Sequence, residues 1–280
     1  MPLEPRPFAV GPEPTLRGEA VGEGPPIVLC HGITATRRQV LHGSKALPRA
    51  GYEVVVYDAR GHGRSEPAPP GEGYGYPELV GDLERVVAAR VGGGRFLLGG
   101  HSMGAHTAVA YALRHPERLA GLVLIGPTYV GEIKPDSLAY WDGLAAALET
   151  EGVDGFVDYI DRKQGIDPRW RDSVLRFTRE RLLAQEHPEA LVQALREVPR
   201  SRPFESIEDL RGLDVPTLLV ASNDDADPGH PYEAAVAYAE ALPSAELVSE
   251  GEGESPLAWQ GGKLSRALAA FYTKCLSLNG

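Results

Sequence analysis

Short apolar runs recur along the chain, and their alternation with helical segments leaves few folds open. "PIVLCH" (26–31), "EVVVY" (53–57), "RFLLGG" (95–100), "GLVLIG" (121–126), "PTLLVA" (216–221) and "AELVS" (245–249) are separated by longer stretches with helical spacing. Runs that are apolar on both faces belong in a parallel sheet buried from both sides. Between them, Leu79, Leu83, Val86 and Val87 make one helical stripe, Tyr232, Ala235, Val236 and Ala239 a second, and Leu264, Leu268, Phe271 and Cys275 a third. The expected class is therefore α/β, a mostly parallel sheet with helices on both faces.

One interval breaks the rhythm. Between "GLVLIG" and "PTLLVA" lie about ninety residues with helical patterning and no convincing strand. Residues 130–210 are read as a helical cap inserted into a core made of 1–129 and 211–280. The insertion carries Tyr140, Trp141, Phe156, Tyr159, Trp170 and Phe177. A small helical unit needs most of these for its own core, and Trp141 is the one expected to face a substrate pocket. "EPAPPGEGYGYP" (66–77) is expected to be a surface loop.

Charge narrows the partners. The 280 residues hold 28 Lys and Arg against 39 Asp and Glu, a formal net charge of −11, which argues against nucleic acid. The start, "MPLEPRPFAVGPEP", lacks the basic and apolar regions of a signal peptide, and no run approaches the roughly 20 apolar residues of a membrane span. A cytoplasmic protein with no membrane partner is expected. Cys30 and Cys275 have no spacing for a disulfide framework or a metal and read as packing residues.

Chemistry enters at "GGHSMGAHTAVAYAL". Gly100, His101, Ser102, Met103 and Gly104 form G-x-S-x-G between an apolar strand and a helix. A serine on so sharp a turn needs small neighbours, and the turn leaves its hydroxyl at a helix N-terminus, where backbone N–H groups favour a developing anion. The alternative is a Gly-rich turn with an incidental serine. Upstream, "VLCHGITAT" ends a strand, and His31 and Gly32 precede Ile33. The N–H groups of Ile33 and Met103 are the candidate oxyanion donors. His31 is placed beside Trp141 among the pocket residues.

With "HG" after one strand, "DARGHGRS" after the next, "GHSMGA" at the turn and a helical interval in the expected place, the chain resembles the α/β-hydrolase family over nearly its whole length. The resemblance implies an eight-stranded, mostly parallel sheet and a Ser, Asp, His order of catalytic residues. It assigns Asp58, His62 and Ser65 to loops around the site, and it turns His101 into the fold. The acid follows "PTLLVA", where the chain reads Asp224, Asp225 and Asp227. Spacing leaves Asp225 and Asp227 open, with Asp227 favoured by the Asp-Pro pair.

The family pattern breaks after "AELVS". Where a Gly-His pair is usual, this chain reads "EGEGESPLAWQG", and no histidine follows His230. Glu254 could stand in only as a weaker base, about two pKa units below histidine. His230 is the candidate for a displaced base, in a loop at the carboxyl edge of the sheet. Pro231 suits a first helical position, which would put His230 at the N-cap; a capping histidine without catalytic work is the other reading. The expectation is a serine hydrolase acting on a carboxylic ester or related small acyl compound, with no metal and no organic cofactor implied. Its rival is a non-hydrolytic, ligand-binding member of the same fold.

Overall fold

The computed structural model describes residues 3–222 and 227–278. Each apolar run becomes a strand: β3 (Pro26–Cys30), β4 (Glu53–Tyr57), β5 (Phe96–His101), β6 (Leu119–Ile125), β7 (Thr217–Val220) and β8 (Ala245–Val248). These six pair in parallel. Two further strands, β1 (Arg6–Val10) and β2 (Leu16–Val21), form an antiparallel hairpin, and β2 joins β4 antiparallel. The eight-stranded order is β1-β2-β4-β3-β5-β6-β7-β8. The hairpin escapes a search for apolar runs because it is covered on one face only. In β2, Leu16, Gly18 and Ala20 are buried while Arg17, Glu19 and Val21 are more open, the period-two pattern of a half-exposed strand.

Helices α1 (Ala46–Arg49), α2 (Tyr76–Arg90), α3 (Met103–Arg114), α4 (Pro135–Lys163), α5 (Arg171–Leu183), α6 (Pro188–Glu197), α7 (Tyr232–Ala241) and α8 (Gly261–Leu278) complete the frame. Strand alternation sorts the core. Val28, Cys30, Val55 and Tyr57 pack toward α2, α3 and α7. Ile27, Leu29, Val54 and Val56 pack toward α1 and α8. The stripes on α2 and α8 are buried as their spacing implies. On α7 the buried face is Ala234, Ala235, Tyr238 and Ala241, and Tyr232 stays 36 % exposed. The helix begins one residue later than expected: Pro231 is its N-cap, so His230 lies in the loop ahead of it.

Between β6 and β7 the helical interval holds α4, α5 and α6, with α4 interrupted at Gly152 (φ 68°). Leu144, Leu148, Phe156, Leu191 and Leu195 form its apolar interior, and Ile33 and Met103 from the sheet edge join the same cluster. The 66–77 loop is less superficial than its composition suggests. Tyr74 and Tyr76 are buried, and the Tyr74 N–H donates to Glu197 Oε2 at 2.8 Å.

The frame is tight at the start of α3. A Cβ on Gly104 would lie 2.3 Å from the Cys30 carbonyl oxygen, and one on Gly100 would lie 2.1 Å from the Gly104 carbonyl oxygen. Both obstacles are backbone. Only glycine lets β3, β5 and α3 approach this closely. Gly104→Ala is therefore expected to cost about 3 kcal/mol, while Gly94→Ala, which meets nothing within 4 Å, costs little. Urea midpoints of the two variants measure the contrast, and equal midpoints would refute the packing argument.

Candidate active site

Ser102 sits between β5 and α3 with φ 52° and ψ −115°, a conformation L-residues rarely hold. Its N–H donates to the Ile125 carbonyl at 2.9 Å, fixing the turn to the end of β6. Among the described residues neither the Ile33 nor the Met103 N–H donates a hydrogen bond. Met103 opens a helix, whose first N–H groups are unpaired by construction. Both residues lie beside Ser102 in the walls of adjoining cavities of about 470 and 450 Å³, and Ser102, Ile33 and Trp141 line both. Such volumes suit a small molecule.

His230 lines the larger cavity together with Ser102. Gly126, the residue after Ile125, carries φ 54°, and a Cβ there would lie 3.0 Å from the His230 ring. The ring also stands 5.0 Å, centroid to centroid, from that of His101. His230 Nδ1 is 2.8 Å from Asp227 Oδ2. Since a carboxylate only accepts, Nδ1 carries the proton and Nε2 of the neutral ring keeps its lone pair. Burial would lower the His230 pKa, but the charge and hydrogen bond of Asp227 outweigh it, and the pKa stands above the ordinary histidine value. Burial would raise that of Asp227; His230 first, then His101 and Arg181, hold it below the usual carboxylate value. Side-chain ligand atoms of His101, Asp227 and His230 fall within 4.8 Å of one another. Burial and the neighbouring His230 drive His101 down to about 3, so it is neutral where His230 titrates.

Not every expected site residue belongs here. His31 is 2 % exposed and is not part of the cavity wall. Its Nε2 accepts the Ala59 N–H at 2.9 Å and its Nδ1 donates to the Gly32 carbonyl at 2.8 Å, so the ring braces two loops, and the pocket role passes to Gly32 and Ile33. Asp225 lies outside the described residues. Glu254 is about half exposed and paired with Lys263 at 2.9 Å. In the loop where the resemblance implies a histidine, it is Glu250 that is buried, accepting from Ser222 Oγ at 2.9 Å and the Leu257 N–H at 3.0 Å.

Some contributors were given no part in the cavity by the sequence. His42 reads as helical but sits in a turn with φ 48°, at the cavity wall. His62 donates through Nε2 to the Ile33 carbonyl at 2.5 Å, orienting the peptide group whose neighbour is the Ile33 N–H. Fully buried His106 accepts the Thr128 and Tyr129 N–H groups on Nε2 at 3.0 and 3.1 Å, so its Nδ1–H donates to Tyr76 Oη at 2.9 Å. It shapes the loop after β6, whose Thr128 lines both cavities.

Residues 25–262 match the family model described as alpha/beta hydrolase fold. Non-heme haloperoxidase of Rhodococcus erythropolis is 30 % identical over 223 residues, covering 73 % of this chain and 76 % of that protein. Epoxide hydrolase B of Mycobacterium tuberculosis is 38 % identical over 109 residues, 39 % of this chain and only 30 % of that protein. In structure, an esterase from Thermogutta terrifontis, solved with malate bound, superposes with a TM-score of 0.78 at 24 % identity, covering 97 % of this chain and 99 % of that one. No helix among the described residues is long and apolar enough to cross a membrane.

The three hydrogen bonds of His106 generate a stability prediction. Burial lowers its pKa to about 3. His106→Leu strands two backbone donors and is expected to cost about 2 kcal/mol. The folded ring stays neutral while the unfolded one takes up a proton below about pH 6.5, so chemical denaturation should give a loss about 1.4 kcal/mol larger at pH 8 than at pH 5.5; an equal loss at both would mean that the folded ring titrates like a free histidine.

Proposed function

The chain belongs to the α/β-hydrolase fold family, and from that premise we propose that it is a serine hydrolase of carboxylic esters or related small acyl compounds, working through an acyl-enzyme on Ser102. The observation that carries the reading is the His230–Asp227 pair, with its 2.8 Å hydrogen bond, against the turn that holds Ser102. The pair supplies a neutral imidazole with a free Nε2 at the same cavity as a hydroxyl on a strained turn.

In this reading the scissile carbonyl lies over Ser102, with the two cavities taking the two sides of the ester. His230 Nε2 removes the Ser102 proton as Oγ attacks the carbonyl carbon. The carbonyl oxygen becomes an oxyanion and accepts from the Ile33 and Met103 N–H groups. Asp227 holds the Nδ1–H and stabilises the imidazolium. As the tetrahedral adduct collapses, the C–O bond breaks and the departing alcohol takes the proton from His230. A water molecule then loses a proton to His230 and attacks the acyl-enzyme, and Ser102 leaves with that proton as the acid is released. Helices α4, α5 and α6 act as a cap that limits water around these steps.

Ser102→Ala and His230→Ala are each expected to lower kcat on short 4-nitrophenyl esters by about 10⁴-fold or more, with the double variant little worse than either. A fluorophosphonate should label the wild type and not Ser102→Ala. Glu254→Gln should keep the wild-type rate. Wild-type protein inert to every ester and to the fluorophosphonate would leave the non-hydrolytic, ligand-binding reading in place.

The base must be neutral to act, so kcat/KM should fall as pH drops through the His230 pKa. Asp227 raises that pKa, which places the acidic limb above the ordinary value of about 6.5. Asp227→Asn removes the charge, and the limb should move to lower pH while the rate drops. A limb that Asp227→Asn leaves in place would assign it to another group.

A further inference from the structure

Among the described residues the larger cavity holds a cation that no carboxylate pairs directly. Arg181, near the end of α5, lines the same cavity as Ser102 and His230. Among the described residues its one side-chain hydrogen bond runs from Nη2 to Thr178 Oγ1 at 3.0 Å. Its Nε is shielded from solvent and has no partner. Among the described residues no carboxylate forms an ion pair with it, although Arg169, Arg171, Arg179, Arg196 and Arg200 of the same helical interval each have at least one. Asp227 is the acid whose field reaches Arg181, but its carboxylate is bonded to His230. Glu180, the neighbouring acid at the cavity wall, is exposed. Burial pulls the Arg181 pKa below the usual arginine value, yet a guanidinium keeps its proton in a protein.

A half-buried guanidinium with a shielded donor left unsatisfied is costly unless something completes it. Around Arg181 the cavity is walled by Trp141, Leu144, Phe156 and Phe177, which favour an apolar stem. A guanidinium is the donor geometry that best matches a planar carboxylate. We propose that Arg181 is an anion subsite and that the substrate is an ester carrying a free carboxylate, held by Arg181 while the ester carbonyl lies at Ser102. The substrate class deepens, and rests on, the hydrolase reading above; the anion subsite itself does not require it.

Two matched pairs of esters test it. 4-Nitrophenyl hydrogen glutarate against 4-nitrophenyl 5-methylhexanoate places the charge on the acyl side, and 3-carboxyphenyl butyrate against 3-isopropylphenyl butyrate places it on the alcohol side. In one pair the wild type should prefer the anionic member by about 10- to 100-fold in kcat/KM, the range of a hydrogen bond to a charged group. Arg181→Gln should bring that ratio close to one through KM, because the lost contact is made in ground and transition states alike; Arg181→Lys should restore part of it. No preference in either pair, or a preference that survives Arg181→Gln, overturns the proposal. The second outcome includes an arginine acting only through Asp227, which would slow both members equally and leave the ratio standing. Calorimetry with glutarate separates the two readings. If no ester is hydrolysed but glutarate binds the wild type and not Arg181→Gln, the subsite stands and the hydrolase reading falls; equal binding, or none to either protein, removes the subsite.

Discussion

The close approach of α3 to β3 is the constraint on which the site depends. Gly104 lies against the Cys30 carbonyl so tightly that a single methyl group would collide with it. This contact seats the first turn of α3 directly above the sheet edge and leaves Ser102 to bridge strand and helix at φ 52°. Such a residue costs about 1–3 kcal/mol and persists only when its surroundings dictate it. Here they do: β6 is buried along its entire length, and the Ile125 carbonyl takes the Ser102 N–H. The Met103 N–H is left facing outward from the helix start by the same geometry.

A buried polar layer holds the loops beside that turn. Asp58 is fully buried and accepts the Arg37 and Arg64 N–H groups at 2.8 and 3.0 Å, while the Arg37 guanidinium pairs with it. The Arg60 guanidinium meets Asp82 through two hydrogen bonds of 2.7 and 2.9 Å. Breaking one side of such a pair leaves the other charge buried, which is why these groups act as fasteners and not as reagents. His31 belongs with them: burial brings it down to about 4, and both ring nitrogens are spent on backbone.

Legibility followed burial. Strands covered on both faces announce themselves as apolar runs, and the glycines of the turn are explained by contacts that any side chain would break. Strands β1 and β2, half exposed and rich in charge, do not show that signature. Helix α7 presents alanines on several sides, so its stripe could be drawn on the wrong face. The nearness of His230 to Asp227 was readable from spacing, because the three-residue offset closes locally; the ring's direction depended on Gly126, a long-range contact. His31 misled because its sequence neighbours Gly32 and Ile33 do line the cavity. Arg181 gave no signal, since an arginine on an amphipathic helix usually reaches water.

In the usual arrangement acid and base arrive on separate loops, and the sheet must hold them in register. Here Asp227 and His230 share one loop, and the Asp227 carbonyl also accepts the His230 N–H at 3.0 Å, so the two form a self-contained cassette. In the proposed mechanism, a shift of residues 227–230 would carry proton acceptor and orienting carboxylate together and alter only their common distance from the serine. Two residues past β8, where the family pattern would place a histidine, Glu250 instead accepts from Ser222 Oγ, just ahead of this loop. Variation at the tip of the loop after β8 should therefore be tolerated where it would ordinarily be lethal to turnover.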